Sequence, residues 1–430
     1  MGVQQIAFIL TLAAAVFFIR RRVLIIKRNI SLGKGKLLND RGGERLKNMM
    51  LVAFGQKKMF KRIVPAVLHF FIYAGFLIIN IEVLEFIIDG LAGTHRIFAP
   101  YLGEFYNVLM NFFEFLAVAV LVSCVIFLVR RNILRMKRFW SAEMTSWPRL
   151  DANLILITEI VLMLAILTMN ASDQQLQSQD NHYVATGKLY FSSFLIPIFD
   201  SMDTSSLILV ERLAWWFHII GILGFALYIT YSKHLHIFMA FPNTYYARLE
   251  PKGQMENMPV VTNEVKSMLG IGEAAASSGD PGRFGAKDVN DLSWNNLMSA
   301  YACTECGRCT SECPANLTGK KLSPRKIMMD VRDRLEDVGN SKKGLEDGKT
   351  LLGDYITKEE INACTSCNAC VEACPVMINP LEIILELRRY VAMEESGSPA
   401  SWNAMFQNVE TNFAPWKFSH SDRFNWAKED

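Results

Sequence analysis

Eight of the nine cysteines fall into two copies of one spacing, and that repeat constrains the chain more than any other feature. C-T-E-C-G-R-C-T-S-E-C-P carries Cys303, Cys306, Cys309 and Cys313; C-T-S-C-N-A-C-V-E-A-C-P carries Cys364, Cys367, Cys370 and Cys374. The repeated run is the ligand pattern for a pair of [4Fe-4S] clusters, in which the fourth cysteine of each run crosses to the other cluster. The spacing therefore predicts one cluster on Cys303, Cys306, Cys309 and Cys374, and its neighbour on Cys364, Cys367, Cys370 and Cys313. A zinc site asks for four ligands in two C-x2-C pairs, which leaves half of each run without a use. The pattern is that of a chain that moves electrons.

Composition says where. Of 430 residues 51% are hydrophobic, and they gather in long blocks before about residue 240, with a polar chain beyond. Five blocks, near 5–19, 64–88, 105–129, 152–170 and 207–232, approach the length of about 20 residues that crosses a hydrocarbon core. The first ends in Arg20-Arg21-Arg22. A secretory signal carries its charge before the apolar run, so this order reads as a retained anchor with its N-terminus outside. Residues 20–62 hold fourteen Lys/Arg against two acids and 130–150 hold six against one, whereas 90–103 and 171–206 hold one base each, Arg96 and Lys188. The positive-inside rule puts the two basic loops in the cytoplasm. Five spans then leave the cysteines in the cytoplasm of a bacterial or archaeal cell, where thiols stay reduced. The net charge of +3 carries no nucleic-acid signature, and the expected contacts are lipid and protein.

Histidine is costly in a membrane span and usually functional there. His69 lies just inside the second block, His218 in the outer part of the fifth, and His234 and His236 at that block's end in S-K-H-L-H. On one continuous helix His218 and His236 would stand five turns and about 27 Å apart on a shared face, with His234 about 160° away. Such a face suits two b-type haems stacked across the membrane. By depth His69 pairs with His236 on an inner haem, with His234 as the alternative ligand. His218 would hold an outer haem, but Ile79 and Asn80 occupy the level of its partner. One or two haems are therefore expected, with His95 or His182 as a loop-borne second ligand.

Acids also fall in the blocks: Glu82 and Glu85 in the second, Glu114 in the third, Glu159 in the fourth. Quinone chemistry needs a group that exchanges protons with the ring oxygens, which makes Glu114, Glu159 and Glu82 candidates. Glu82 and Glu85 also read as interfacial, close to Asp89. Cys124 reads as plain packing.

The expected domains are a membrane region at 1–240, an amphipathic segment ending at F-P-N and a small-residue linker (272–282) within 241–287, an α-helical ferredoxin domain at 288–396, and a tail at 397–430. Ser323-Pro324 and Asn379-Pro380 each offer an N-cap followed by proline, and Thr357 with Glu360 reads as a capping box. A helix is expected over about 324–337. The tail is polar yet carries Trp402, Phe406, Phe413, Trp416, Phe418, Phe424 and Trp426 with loop-like spacing. Exposed aromatics make interface anchors, so a strap docking a partner subunit is expected, with packing onto the chain's own ferredoxin domain as the alternative.

The His-bearing second block, W-W-F-H, S-K-H-L-H, W-N-N-L-M-S-A-Y-A-C-T-E-C-G-R-C and C-P-A-N-L-T-G-K-K-L-S-P-R together resemble the membrane-bound heterodisulfide-reductase-related iron–sulfur oxidoreductases. Relatives in that family include the sulfite-reductase-associated membrane module and electron-transfer-flavoprotein:menaquinone oxidoreductases. The first half is similar to the haem b subunit of respiratory nitrate reductase. The resemblance implies electron passage between menaquinone, b haem, two [4Fe-4S] clusters and a cytoplasmic redox partner. Fused members continue into Cys-Cys-Gly domains, and T-N-F-A-P-W…D-R-F-N-W-A resembles the segment leading into them. That half is expected on a separate polypeptide, a Cys-Cys-Gly protein or an electron-transfer flavoprotein, docked on the tail. With no nucleotide-binding or flavin fingerprint, the expectation is a subunit of a quinone-linked oxidoreductase whose substrate chemistry lies elsewhere. The alternative is a membrane-anchored iron–sulfur redox sensor without quinone turnover.

Overall fold

The computed structural model describes residues 2–271 and 283–428; the expected linker at 272–282 lies outside the described residues. Within these, regular structure is helical, and backbone pairing outside helices is limited to isolated bridges such as Lys34 with Ser293. The protein is mainly α.

Five long helices build the N-terminal bundle: α1 (Val3–Ile30), α2 (Ile63–Ala92), α3 (Glu104–Leu128), α4 (Ser146–Leu176) and α5 (Thr204–Ile229). Of the five expected spans, four of these helices, α2 to α5, are long and apolar enough to cross a membrane. Helical backbone satisfies its own hydrogen bonds, which a lipid environment demands. Their ends are marked in the sequence. Gly93, at φ 75°, closes α2 by donating its N–H to Asp89 O at 2.7 Å, a left-handed stop that favours glycine. Asp203 opens α5 by accepting from the N–H groups of Ser205 and Ser206. Consecutive helices α2 to α5 pack as neighbours, and α1 lies against α2 and α5. A Cβ on Gly75 would run into Val120, so glycine sets the close approach of α2 to α3.

α1 does not stop at its arginines. It runs on to Ile30 and reaches the C-terminal region, where Arg22 pairs with Glu336 at 2.7 Å and Asn29 Nδ2 donates to the Tyr301 hydroxyl at 2.9 Å.

α5 ends at Ile229, before the expected limit of 232, and this breaks the proposed shared face of His218 and His236. Asp151 of α4 accepts from the Ser232 hydroxyl at 2.7 Å and the Lys233 N–H at 3.1 Å, and these contacts turn the chain. A fresh helix, α6 (His236–Tyr245), starts at His236, and F-P-N lies inside it with Pro242 in mid-helix.

The C-terminal region is built on α7 (Trp294–Ala302), α8 (Pro324–Asn340) and α9 (Pro380–Met393). Its caps form where the sequence placed them. Ser323 accepts from Lys326 N–H, Asn379 from Glu382 N–H, and Thr357 exchanges bonds with Glu360. The tail folds a helix, α10 (Ala400–Asn412), rather than a loop-like strap.

Candidate electron-transfer site

The two cysteine runs share one backbone. Glu305 (φ 53°) and Ser366 (φ 56°) precede the second cysteine of each run, and Gly307 (φ 71°) and Asn368 (φ 60°) follow it. Left-handed residues at matched positions curl each loop round its thiols. Ser366 N–H points at Cys364 Sγ (3.4 Å) and Ile378 N–H at Cys374 Sγ (3.3 Å), the kind of contact that tunes a cluster's potential. Each run then enters a short helix, Arg308–Ser311 or Ala369–Ala373, and these two helices pack together.

That packing interleaves the runs. Cys309 has Cys306, Cys303 and Cys374 as electrostatic neighbours, with Cys370 beyond. Cys313 has Cys364 and Cys367, and Cys370 has Cys364, Cys313 and Cys367. The fourth cysteine of each run thus has electrostatic neighbours in the other run, Cys374 with Cys309 and Cys313 with Cys364 and Cys367. Among the described residues no three His, Cys, Asp or Glu side chains close around a single ion. Burial pushes the Cys303 and Cys370 thiols up to about 12 and Cys374 to about 11. Loading metal must therefore release protons.

The two sets differ in surroundings. The set with Cys303 faces the near end of the helical bundle. Arg308 donates to Lys58 O (3.3 Å) and Met59 O (3.4 Å), and Arg62 bonds Ser311 at 3.0 Å and Glu312 at 2.8 Å. Arg325, fully buried, bonds Glu143 and Arg138 O, each at 2.6 Å. Gly307 is needed because a Cβ there would meet Arg325 and Arg138. Glu305 binds Lys233 on one side and Arg332, at 2.6 Å, on the other. Burial raises the Glu305 carboxyl, but Arg332 and Lys233 outweigh it and hold it below the ordinary carboxylate range. Several bases counted in the loops as positive-inside residues thus grip the cysteine-bearing region. In the second set Cys367 is exposed.

His69, near the start of α2, and His236, first residue of α6, stand with ring centres 6.3 Å apart. His69 Nδ1 meets Gln56 Oε1 at 3.0 Å and His236 Nδ1 meets Lys233 O at 3.1 Å. Oxygen acceptors at Nδ1 assign the proton there and leave each Nε2 as a free donor atom. His234 lies 5.4 Å from His236, its ring against Phe225 at 5.5 Å. His236 meets Lys233, whose side chain pairs with Glu305 in the first ligand loop. At the far end, His218 Nδ1 meets Leu162 O at 3.0 Å and its ring meets Phe86. His95 and His182 pair with each other, ring centres 6.0 Å apart.

The acids divide. Glu114 accepts from Asn170 Nδ2 (3.2 Å), Phe191 N–H (3.0 Å), Ser192 N–H (3.2 Å) and the Ser192 hydroxyl, tying a loop to the bundle. Glu85 does the same for Phe98 N–H at 3.0 Å and the Tyr106 hydroxyl at 2.6 Å. Glu82 is buried, and its Oε1 has no partner. Glu159 is half-buried on α4 and near Cys124, which is fully buried. Sequence reasoning missed Lys233, Glu305 and Arg332. The signal was a charge inside a ligand loop, where small residues otherwise prevail.

Comparison with known proteins bears on this arrangement. Residues 302–378 match the family model of the 4Fe-4S dicluster domain. The chain is 27% identical to the probable iron-sulfur-binding oxidoreductase FadF of Bacillus subtilis, over 99% of this chain and 61% of that protein. It is 25% identical to the EtfAB:quinone oxidoreductase of Syntrophomonas wolfei, over 93% of this chain and 56% of the other. A probable membrane-anchored ferredoxin of Chromohalobacter salexigens is 30% identical over 34% of this chain and 24% of its own length. The chain thus spans about three-fifths of the first two relatives. No solved structure matches. With the eight cysteines inside the matched segment, residues 302–378 are a dicluster domain for two [4Fe-4S] clusters, and the chain is an iron–sulfur electron-transfer protein related to oxidoreductases.

Proposed function

We propose that this chain is the membrane subunit of a quinone-linked oxidoreductase, passing electrons between menaquinone, b-type haem, the two [4Fe-4S] clusters and a cytoplasmic redox partner. In this reading α1 crosses the membrane with α2 to α5, its N-terminus outside, and the dicluster domain is cytoplasmic. The clusters and haem supply one-electron carriers when bound. The chain's own residues hold, bury and order them. Cys303, Cys306, Cys309 and Cys374 would ligate the cluster nearest the bundle, and Cys364, Cys367, Cys370 and Cys313 the outer one, which exposed Cys367 leaves open to a partner.

The observation that carries the reading is the His69–His236 pair. His69 and His236, with ring centres 6.3 Å apart, would together hold the haem iron. Each Nδ1 faces an oxygen, as metal-ligating histidines usually do. The pair also adjoins the loop of the first cluster, a short route between carriers. His218 is the candidate for an outer haem. The quinone link is further supported by the likeness to a quinone oxidoreductase, and partner subunits by matches to heterodisulfide reductase subunits. Reduced-minus-oxidised spectra of membranes holding the full chain test the proposal. A b-type band that menaquinol reduces, followed by reduction of the clusters, is the expected result. Clusters without such a band would overturn it.

A further inference from the structure

At the far end of the bundle a cavity of about 190 Å³ opens between the start of α1, the end of α2 and α5. Phe8, Phe86, Trp215 and Trp216 supply aromatic walls, with Phe8 5.7 Å from Trp215 ring to ring. The polar edge is built on Asp173, which is 1% exposed. Its Oδ2 accepts from Arg96 Nε at 2.6 Å, while its Oδ1 has no hydrogen-bond donor although it lines the cavity. His95 Nε2 stands 3.2 Å from that oxygen without the alignment of a hydrogen bond. Val184 N–H donates to His95 Nδ1 at 3.4 Å, which assigns the ring proton to Nε2.

A buried acceptor without a donor costs free energy unless a ligand supplies one. The edge therefore asks for a group that both donates to Asp173 Oδ1 and accepts from His95 Nε2, and the walls ask for a flat apolar ring. We infer that this cavity is the binding site for the head ring of an isoprenoid quinone, whose reduced form sets a ring hydroxyl to accept from His95 Nε2 and donate to Asp173 Oδ1. The inference rests on the quinone reading above and gives it a place. Pockets that enclose drug-sized ligands measure about 300–1,000 Å³, so this one suits a head ring whose tail lies outside. The ring would lie one phenyl away from His218, whose imidazole meets the Phe86 edge at 5.9 Å. None of Glu82, Glu114 and Glu159 lines this cavity.

The test is photolabelling of the full chain in membranes with an azido-naphthoquinone, with a short-chain menaquinone as competitor, and peptide mapping of the label. Competed label on peptides holding Phe8, His95 or Trp215 is expected. His95→Gln, and independently Phe8→Ala on another element, should each weaken competition roughly tenfold, the equivalent of about 1.4 kcal/mol. Competed label confined to another part of the chain, or label here that neither variant weakens, overturns the site while leaving the quinone reading standing. Absence of competed label anywhere overturns both.

Discussion

Lys233, at the turn after α5, is ion-paired with Glu305, one of the two residues between the first two cysteines of the dicluster domain, and both side chains are buried. The pair fastens a cluster loop to the turn that presents His236. Removing one partner of a buried pair leaves an uncompensated charge, which costs about 3–5 kcal/mol. Arg332 still holds Glu305, so Lys233→Met should fall near the lower end. Denaturant unfolding followed by the clusters' visible absorbance measures it. A variant that loses the clusters at the wild-type denaturant concentration would show that the pair contributes nothing.

Interleaved ligation makes a prediction that separate ligation does not. Cys303→Ser with Cys374→Ser removes two ligands from the same set, so roughly half the iron should remain. Cys303→Ser with Cys313→Ser takes one from each set, and both clusters should suffer. Iron analysis and electron paramagnetic resonance of the two double variants decide. Were each run to hold its own cluster, the two outcomes would be exchanged.

These two predictions draw differently on the sequence. The cysteine spacing made a pair of [4Fe-4S] clusters legible, because covalent ligand geometry is local and tolerates little variation. Four long apolar helices were equally legible, since lipid-length apolar runs have few alternatives. The histidine geometry was not. Sequence periodicity continues the helix of His218 through His236, but Asp151, more than 80 positions earlier in the chain, captures Ser232 and Lys233 and ends that helix. Tertiary hydrogen bonds of this kind leave no mark on local periodicity. The tail's helix has the opposite cause: Trp402, Met405, Phe406 and Val409 keep a local helical spacing, and only the aromatics after them are scattered.

Haem ligation by His69 and His236 predicts that His69→Ala or His236→Ala abolishes the inner b-type signal. His234→Ala should retain it, because among the described residues no acceptor faces its ring nitrogens in the way that Gln56 Oε1 and Lys233 O face the other two. Gln56→Leu should keep the band but weaken haem retention about 10–100-fold, the usual cost of losing a ligand's hydrogen-bond partner. Pyridine haemochrome assays on the purified variants read both effects. Loss of the signal in His234→Ala alone would reassign the ligand.

Glu143 gives a pH dependence. Burial raises its carboxyl, yet Arg325 at 2.6 Å and the Ser323 hydroxyl outweigh burial and hold it below the ordinary 4.5. A carboxyl depressed on folding contributes stability above its unfolded value, and that contribution is lost as pH falls through the folded value. Attachment of the dicluster domain to the loop after α3 should therefore weaken as pH falls below about 4.5. Glu143→Gln should lower stability at neutral pH and flatten this acid limb. Unfolding midpoints of the two proteins between neutral and acid pH supply the comparison, and parallel curves would rule the ion pair out as the cause.

α10 offers the clearest surface for a partner. Trp402, Phe406 and Val409 are exposed along it, and Phe413, 74% exposed, follows directly. The alternative, in which the tail packs onto the chain's own dicluster domain, predicts these side chains buried, and they are not. Large exposed aromatics at helical spacing are costly to leave in water, and burying such residues at an interface often contributes 2 kcal/mol or more each, in round terms about a thirtyfold change in affinity. Trp402→Asp with Phe406→Asp should therefore release a co-purifying redox subunit while iron content and the b-type band stay unchanged. Pull-down of the tagged chain from native membranes, with the two spectroscopic signals measured on the same sample, separates loss of docking from loss of fold. A partner that stays bound to the double variant would move the docking surface elsewhere, to the exposed side of Cys367.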